Sequence, residues 1–368
     1  MLKNISITLI NSFIRIKRFS LASLCILAFF SLNIKLFEIE QTEFYMKILF
    51  CGCLWFVALK LLFESLNFKI IYYYIIGIAI FLLMSLYIYK SSLAVFILLA
   101  TGLFISIFVA AFIFKKEAKS EIWNFNYNLL VKLFFTGLIS LIFFIACSLI
   151  MLSIDFLFEL DPHHKFFKNL WISTFTLIAP LLTIANIPNN FNNTEIKYPS
   201  SLRNILSYVI IPSLLIYALI FYIYCIKIII TMALPKGSIV YITSTFSTIG
   251  IITYIISHPL HNSPGIINLF SRYFFKILLL PLILLALAIG IRINQYGITE
   301  SRYIVILGLI WFSLCSFFAI FKNRSGALRP ILLSIVLLLI GSCFGPWGID
   351  NIIEKYKLKD SDIAKISE

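Results

Sequence analysis

The sequence predicts an all-α polytopic membrane protein, a transmembrane helical bundle of about eleven spans with its N-terminus in the cytoplasm. Hydrophobic residues make up 61% of the 368 residues and charged residues 12%, whereas a soluble domain is nearer half apolar and a quarter charged. The mean hydropathy is +1.01. Apolar runs of about 20 residues, the length that crosses a bilayer, recur between short charged loops. Because the runs are continuous and do not alternate, they indicate helices.

The apolar runs define the expected spans. The run over residues 205–234 is long enough to tilt or to kink at Pro212, and the last run is short. In chain order the expected spans are Ser20–Ile34, Tyr45–Phe63, Ile70–Tyr89, Ser92–Phe114, Leu133–Phe158, Asn169–Ile187, Ile205–Leu234, Ser238–Ser257, Phe274–Ile291, Tyr303–Phe321 and Pro330–Phe344.

The two ends of the chain flank one transmembrane region. Residues 1–19 carry apolar side chains at helical spacing with basic and amide side chains between them, which predicts an amphipathic helix in the headgroup region. We expect residues 20–347 to form the transmembrane helical domain. Residues 348–368 form a short charged tail, which is either an interfacial helix or loose chain.

The net charge of +14 is explained by topology. With a cytoplasmic N-terminus, more than half of the 30 basic residues lie inside, which is the orientation that the positive-inside rule favours. A nucleic-acid-binding protein concentrates basic residues on a recognisable module, whereas here they are spread through short loops. The sequence therefore indicates the lipid bilayer as a partner and no nucleic acid.

Charged residues within or beside the spans are the candidates for a functional site, because a charge inside the bilayer is costly and faces a partner or a cavity. Lys227 has apolar neighbours on both sides, and the predicted orientation places it near the outer leaflet. The alternative is that the carboxylates lie among the headgroups and that Lys227 snorkels to the interface. The candidate substrate-binding residues are Lys227, Asp155, Glu159, Arg292, Glu300 and Arg302.

Two further patterns have both a structural and a functional explanation. The span over residues 238–257 carries closely spaced serines and threonines before Gly250, a pattern more typical of close helix packing than of a transport path. Pro180, Pro212 and Pro281 would kink their helices and free carbonyl groups. Many transporters build their sites from broken helices.

Motifs for catalysis, cofactors and metals are absent from the sequence. It has no phosphate-binding loop, no serine-hydrolase elbow, no zinc-protease motif and no dinucleotide fingerprint. The seven cysteines fall inside the expected spans without zinc-ribbon spacing. The pairs His163/His164 and His258/His261 are expected on opposite sides of the membrane. We therefore predict no catalytic residue, no cofactor and no metal site.

Two segments near the C-terminus carry a family resemblance. One is Arg292-Ile-Asn-Gln-Tyr-Gly-Ile-Thr-Glu-Ser-Arg-Tyr303, between two apolar spans, and the other is Gly345-Pro-Trp347 at the end of the last span. Over residues 270–348 the chain resembles a bacterial integral-membrane family known as a domain of unknown function, number four-one-five-three. The resemblance implies a multi-pass inner-membrane protein and supplies no activity.

The first of these segments also has a local structural explanation. Gly297 can supply the positive φ of a tight turn, and Thr299 is placed to cap the next helix. Glu300 would lie in the first turn of that helix, where the helix dipole favours a negative charge. Arg292 and Arg302 are left over, and they could hold an anionic headgroup or substrate.

Three functions follow from these observations. In the first, a transporter-like or permease-like protein, Lys227 and Arg292 face an anion and Asp155 is the counter-charge. The second is a membrane-embedded enzyme acting on lipid or envelope substrates, which would need Glu300 or Asp155. The third is a non-catalytic scaffold. The missing catalytic motifs weigh against the enzyme, and we expect an anionic lipid or a small molecule as the ligand.

Overall fold

The computed structural model describes residues 14–34, 42–89, 91–115, 119–158, 164–189, 191, 198–231, 238–321 and 327–356. Every element within these ranges is helical, and no strand occurs in them. The prediction of an all-α polytopic bundle is confirmed. The predicted amphipathic helix over residues 1–19 falls mostly outside the described residues, of which 14–18 are helical.

The helices follow the expected spans along the chain. The first half contains α1 (Ser20–Asn33), α2 (Thr42–Ser65), α3 (Ile70–Ile88), α4 (Leu93–Val109), α5 (Lys119–Phe158), α6 (His164–Ile172) and α7 (Ala179–Asn186). The second half contains α8 (Ser200–Ile205), α9 (Ile211–Thr231), α10 (Ser238–Ser257), α11 (Ile266–Tyr296), α12 (Glu300–Phe321), α13 (Leu328–Gly341) and α14 over residues 349–356.

Nine helices among the described residues are long and apolar enough to cross a membrane. Two shorter apolar helices, α1 and α13, correspond to the first and last expected spans. The largest difference from the sequence prediction is α5, which begins at Lys119 and not near Leu133. Hydropathy locates only the apolar part of a helix, so it misses the polar turns that extend the helix beyond the bilayer.

The chain divides into two compact units. Unit 1 comprises Met1–Ser92, Ser106–Phe114 and Asn124–Asn193, and unit 2 comprises Leu93–Ile105, Lys115–Trp123 and Thr194–Glu368. Helices α4 and α5 therefore each contribute residues to both units.

Unit 1 is built on the packing of α1 and α3 against α2. The indole Nε1 of Trp55 on α2 donates a hydrogen bond to the carbonyl oxygen of Gly77 on α3, at 3.1 Å. Nearby, the Tyr73 hydroxyl donates to the Phe56 carbonyl at 3.4 Å. These bonds hold α2 and α3 together at positions where apolar burial alone gives little specificity in a bilayer.

A half-buried ion cluster ties the start of α1 to the end of α2. Arg18 donates from Nε to the two carboxylate oxygens of Glu64, at 2.9 and 3.0 Å. Lys60 Nζ lies 3.7 Å from the same carboxylate. Arg18 also donates to the side chain of Asn189, which follows α7. The Arg18 and Lys60 side chains are only 15% and 11% exposed, so the Glu64 carboxylate compensates two nearly buried cations.

Unit 2 is organised around an aromatic core shared by α9, α10, α11 and α12. The Phe246 ring of α10 lies 5.7 Å from both the Tyr217 ring of α9 and the Phe274 ring of α11. A side chain at Gly250 would overlap the ring of Phe274, so this glycine permits the close approach of α10 and α11. Ser247 and Thr243 on α10 are fully buried. Thr243 and Ser247 therefore pack within the bundle, whereas Thr245 and Thr248 of the same run are exposed.

Candidate functional site

The turn between α11 and α12 holds three of the six predicted site residues. It is formed by Gly297, whose φ of 67° is in the region that favours glycine, and whose N–H donates to the Ile293 carbonyl at 2.9 Å. Helix α12 begins at Glu300, which is exposed in the first turn as expected. Arg292 is half-buried in the last turns of α11. The structure therefore brings Arg292, Glu300 and Arg302 to one end of unit 2.

Arg302 has a structural role in this turn. Its Nη1 donates to the carbonyl oxygens of Tyr296 and Gly297, at 2.7 and 2.8 Å, and its guanidinium carbon lies 5.5 Å from the centre of the Tyr296 ring. The carbonyl groups at the end of a helix have no partner within the helix, and a basic side chain is a common partner for them. The contacts of Arg302 thus cap the C-terminal end of α11.

The two segments that carry the family resemblance meet in the structure. The buried Tyr303, in the first turn of α12, donates its hydroxyl hydrogen to the carbonyl oxygen of Trp347 at 2.7 Å. The indole of Trp347 donates in turn to the Gly341 carbonyl at the end of α13, at 3.1 Å. Sequence reasoning placed both segments at helix ends but missed this contact, because nothing in the sequence pairs a tyrosine with a distant carbonyl.

Lys227 lies on α9 and is exposed. Its depth follows from the hydrogen bond that Tyr222 donates to the Ile277 carbonyl of α11, at 2.7 Å. Helix α10 runs antiparallel to both α9 and α11, so α9 and α11 run in the same direction. Lys227 is five residues beyond Tyr222, and it therefore lies about level with Leu282, five residues beyond Ile277. At 1.5 Å per residue, Arg292 is then about 15 Å further along the bundle. Lys227 is therefore deeper than the polar turn.

The structure describes the side chain of neither predicted carboxylate at the end of the fifth span. Asp155 belongs to α5, but its side chain lies outside the described residues, and Glu159 lies wholly outside them. Asp155 belongs to unit 1, whereas Lys227, Arg292, Glu300 and Arg302 belong to unit 2.

One span in each unit contains a π-helical segment that ends two residues before a proline. In unit 1 the segment Ser173–Ile178 precedes Pro180, and in unit 2 the segment Leu206–Ile210 precedes Pro212. In both, the last N–H before the proline bonds to the carbonyl five residues earlier. Proline removes one backbone donor and clashes with the preceding turn, and such widened turns are frequent at functional sites. The expected disruption at these two prolines is thus observed.

The unit 1 segment contains a buried hydroxyl group. Thr174 is fully buried, and among the described residues its Oγ1 has no hydrogen-bond partner. Ser140 on α5 is likewise fully buried, and its Oγ has no partner in the same ranges. Buried hydroxyl groups are costly without a partner, so these two positions are unusual in the interior of unit 1.

Pro281 lies within the uninterrupted helix α11, and a neighbouring helix compensates for its missing donor. The carbonyl four residues before Pro281 belongs to Ile277, and this is the oxygen that accepts the hydroxyl hydrogen of Tyr222. A freed carbonyl in a bilayer needs a partner from a neighbouring helix. Sequence reasoning identified the proline but not the tyrosine. The sequence does show which carbonyl lacks a donor, because it is the one four residues before the proline.

The second histidine pair is buried at the end of α10. His261 Nε2 lies 3.2 Å from the Ser257 hydroxyl and 3.1 Å from the Tyr254 carbonyl. The rings of His258 and His261 are 5.2 Å apart. Within the described residues, no group of three histidine, cysteine or acidic side chains could hold a metal ion. The pair therefore contributes to the packing of the end of α10.

The apolar helices, their length and their buried polar contacts define a multi-pass membrane protein. The profile of a family described as a domain of unknown function, DUF4153, matches residues 17–365. The chain belongs to this family, as its Arg292–Tyr303 segment and its Gly-Pro-Trp sequence predict. The match extends well upstream of residue 270, where the sequence alone showed only general hydropathy.

One curated relative aligns with part of the chain. It is an uncharacterized protein of Pasteurella multocida (strain Pm70), 28% identical over 170 residues, which is 44% of this chain. The aligned region spans only 28% of the length of that relative. No solved structure gives a significant match.

Proposed function

We propose that this chain is a transporter-like or permease-like protein of a bacterial inner membrane, with a polar site near the outer leaflet that takes an anionic solute. The observation that carries the proposal is Lys227, an exposed lysine on a membrane span, about 15 Å below the level of Arg292 near the end of α11. A cation at this depth is costly in hydrocarbon and favourable beside a polar path.

The charges at the mouth of this path support an anionic ligand. Arg292 is half-buried in the last turns of α11. Arg302 is occupied by the carbonyl oxygens of the turn, so we assign it the role of shaping the mouth. Lys227 and Arg292 are then the anion-facing groups. Within unit 2, Glu300 is proposed as a flanking charge.

The interrupted spans supply the flexibility that transport requires. A π-helical segment exchanges regular helix hydrogen bonds for weaker ones, and Lys227 lies on the span that the unit 2 segment interrupts. Transporters commonly move or bind through such discontinuous helices.

The test is labelling with a membrane-impermeant thiol reagent from outside intact cells. Single cysteines are introduced in a background without the seven native cysteines. Lys227→Cys reports the path, and Ile298→Cys in the α11–α12 turn is the positive control. Ile283→Cys is the matched negative control, because it lies at nearly the same depth on α11, is 58% exposed and has apolar neighbours in the sequence.

We expect Lys227→Cys and Ile298→Cys to react and Ile283→Cys to remain unlabelled. Because Lys227→Cys removes the proposed anion-facing amine, protection by the anion is measured at Ile223→Cys, one turn earlier on α9 and 60% exposed. The first anions to be tried are those whose cellular level changes in cells that lack the chain. Labelling of Ile298→Cys alone would overturn the proposal and favour a scaffold. Labelling of none of the three would invert the predicted topology and remove the outer site.

A further inference from the structure

Unit 2 contains a cavity of about 190 Å³ between α9, α10 and α11. Its walls are almost wholly apolar, and they include Ala218 of α9, Phe246 of α10 and Phe270 of α11. Engineered cavities of about 150 Å³ with similar walls stay dry and take up apolar molecules. The cavity therefore suits a hydrocarbon group and not an ion or a water cluster.

The cavity reaches the surface of the protein at Leu269 and Tyr273. Both residues line it, and they are 53% and 41% exposed. An apolar ligand can therefore enter from the side of the helices. In a membrane span the molecules on that side are lipids, so an acyl chain is the hydrocarbon most available to the cavity.

Two cations flank the opening. The guanidinium carbon of Arg272 and the Nζ of Lys276 each lie 5.7 Å from the centre of the Tyr273 ring. Both cationic residues are exposed. Their side chains are long enough to reach a phosphate placed beside the Tyr273 ring, and two cations at one opening select a negatively charged group.

The depth of the opening matches the boundary between headgroups and acyl chains. Arg272 and Arg292 are 20 residues apart on the single helix α11, which corresponds to about 30 Å, the thickness of the hydrocarbon core. If Arg292 marks one boundary, Arg272 marks the other. Lys276 lies one turn further in and can extend its amine back to the same boundary.

We propose that this cavity and its two cations bind an anionic phospholipid of the bilayer. Part of one acyl chain occupies the cavity, and the phosphate lies between Arg272 and Lys276, next to the Tyr273 hydroxyl. The site is distinct from Lys227 and Arg292, which are at the other end of the same unit. The predicted orientation places it in the cytoplasmic leaflet, where juxtamembrane cations attract anionic lipids.

The experiment measures lipid binding to the purified full chain by native mass spectrometry from detergent, with phosphatidylglycerol and phosphatidylcholine of the same acyl chains as probes. The first variant is Arg272→Gln with Lys276→Gln, which removes both charges at exposed positions. The second is Ala218→Leu, which fills part of the cavity. Arg203→Gln, an exposed cation at the start of the same bundle, is the control.

We expect the unaltered chain to prefer phosphatidylglycerol by about 20- to 30-fold, since two cations near an anionic group contribute that much together. The double charge variant should lose this preference but still bind both lipids weakly. Ala218→Leu should weaken both lipids by about tenfold and keep the ratio between them. Arg203→Gln should behave as the unaltered chain.

Other results would overturn the proposal. Equal binding of the two lipids by the unaltered chain would exclude selection by charge. A lost preference in Arg203→Gln as well would indicate general surface attraction. If Ala218→Leu binds both lipids normally while its unfolding midpoint is unchanged, no acyl chain occupies the cavity.

Discussion

Both compact units use side-chain hydrogen bonds to backbone carbonyl groups, but unit 1 adds a nearly buried ion cluster. In unit 1 a carboxylate, Glu64, compensates the nearly buried cations Arg18 and Lys60. In unit 2 tyrosine hydroxyls and an arginine satisfy backbone carbonyl groups, as at Ile277 and Trp347. Unit 2 also has an ion pair, Lys115 with Glu121 at 3.5 Å, but it lies outside the aromatic core.

The comparison shows which contacts determine the pairing of helices when the burial of apolar surface does not. Lipid tails are as apolar as leucine, so burial of apolar side chains gives a membrane helix little preference for one neighbour over another. Contacts that lipid cannot replace then determine which helices pair. Unit 1 combines its ion cluster with the bonds that Trp55 and Tyr73 donate to carbonyl groups, and unit 2 relies on close approach and hydrogen bonds to carbonyl groups.

Removal of the carboxylate should break unit 1. We expect Glu64→Gln to lower the free energy of unfolding by about 3 kcal/mol, because Arg18 and Lys60 would remain nearly buried without a counter-charge. The measurement is detergent-driven unfolding in mixed micelles. Glu43→Gln is the control, since Glu43 pairs with Lys47 but is 78% exposed, and no measurable change is expected. Equal losses in the two variants would contradict the role of burial.

A side chain at Gly250 should destabilise unit 2, because it prevents the close approach of α10 and α11. We expect Gly250→Ala to cost about 2 kcal/mol, because the added methyl group overlaps the ring of Phe274, which is itself buried. Gly290→Ala on α11 is the matched control, where a Cβ atom meets nothing within 4 Å and alanine favours the helix. A stable Gly250→Ala variant would show that α10 and α11 can separate without cost.

A substitution at Gly297, in the turn of the family segment, should have a smaller effect on stability. Gly297 has φ 67° and ψ −169°, a combination that is essentially restricted to glycine. We expect Gly297→Ala to cost about 1.5 kcal/mol and to weaken the contacts of Arg302 with the turn. Gly308→Ala, within α12 and at ordinary distances from Phe312, should cost less than 0.5 kcal/mol by the usual range for tolerant positions. Thermal unfolding of both variants distinguishes backbone strain from a general effect of the methyl group.

Sequence reasoning predicted the parts of this fold that depend on one helix at a time. The helix over residues 238–257 matches its expected span at both ends, since hydropathy and helix ends coincide there. Gly297 was predicted as a turn residue because its conformation is a local property. The Arg18–Glu64 pair and the Tyr303–Trp347 contact were not predicted. Their residues are 46 and 44 positions apart in the sequence, so the contacts depend on how the helices pack. The candidate site is partly local too: the sequence identifies Lys227, but its depth relative to Arg292 depends on the pairing of α9 with α11.

The smallest effect tests the hydrogen bond that fixes this pairing. We expect Tyr222→Phe to cost about 1 kcal/mol, because it leaves the Ile277 carbonyl without a donor. Tyr217→Phe is the control, since its hydroxyl makes a longer bond, 3.4 Å, to the Ile242 carbonyl of α10, where no proline four residues on removes the helix donor. The decisive step is a double-mutant cycle with Pro281→Ala, which returns an N–H group to the helix. In that background Tyr222→Phe should cost almost nothing, because the Ile277 carbonyl regains a partner within α11. If the cost of Tyr222→Phe is the same in both backgrounds, the tyrosine stabilises unit 2 by packing alone, and close approach would matter more there than carbonyl hydrogen bonds.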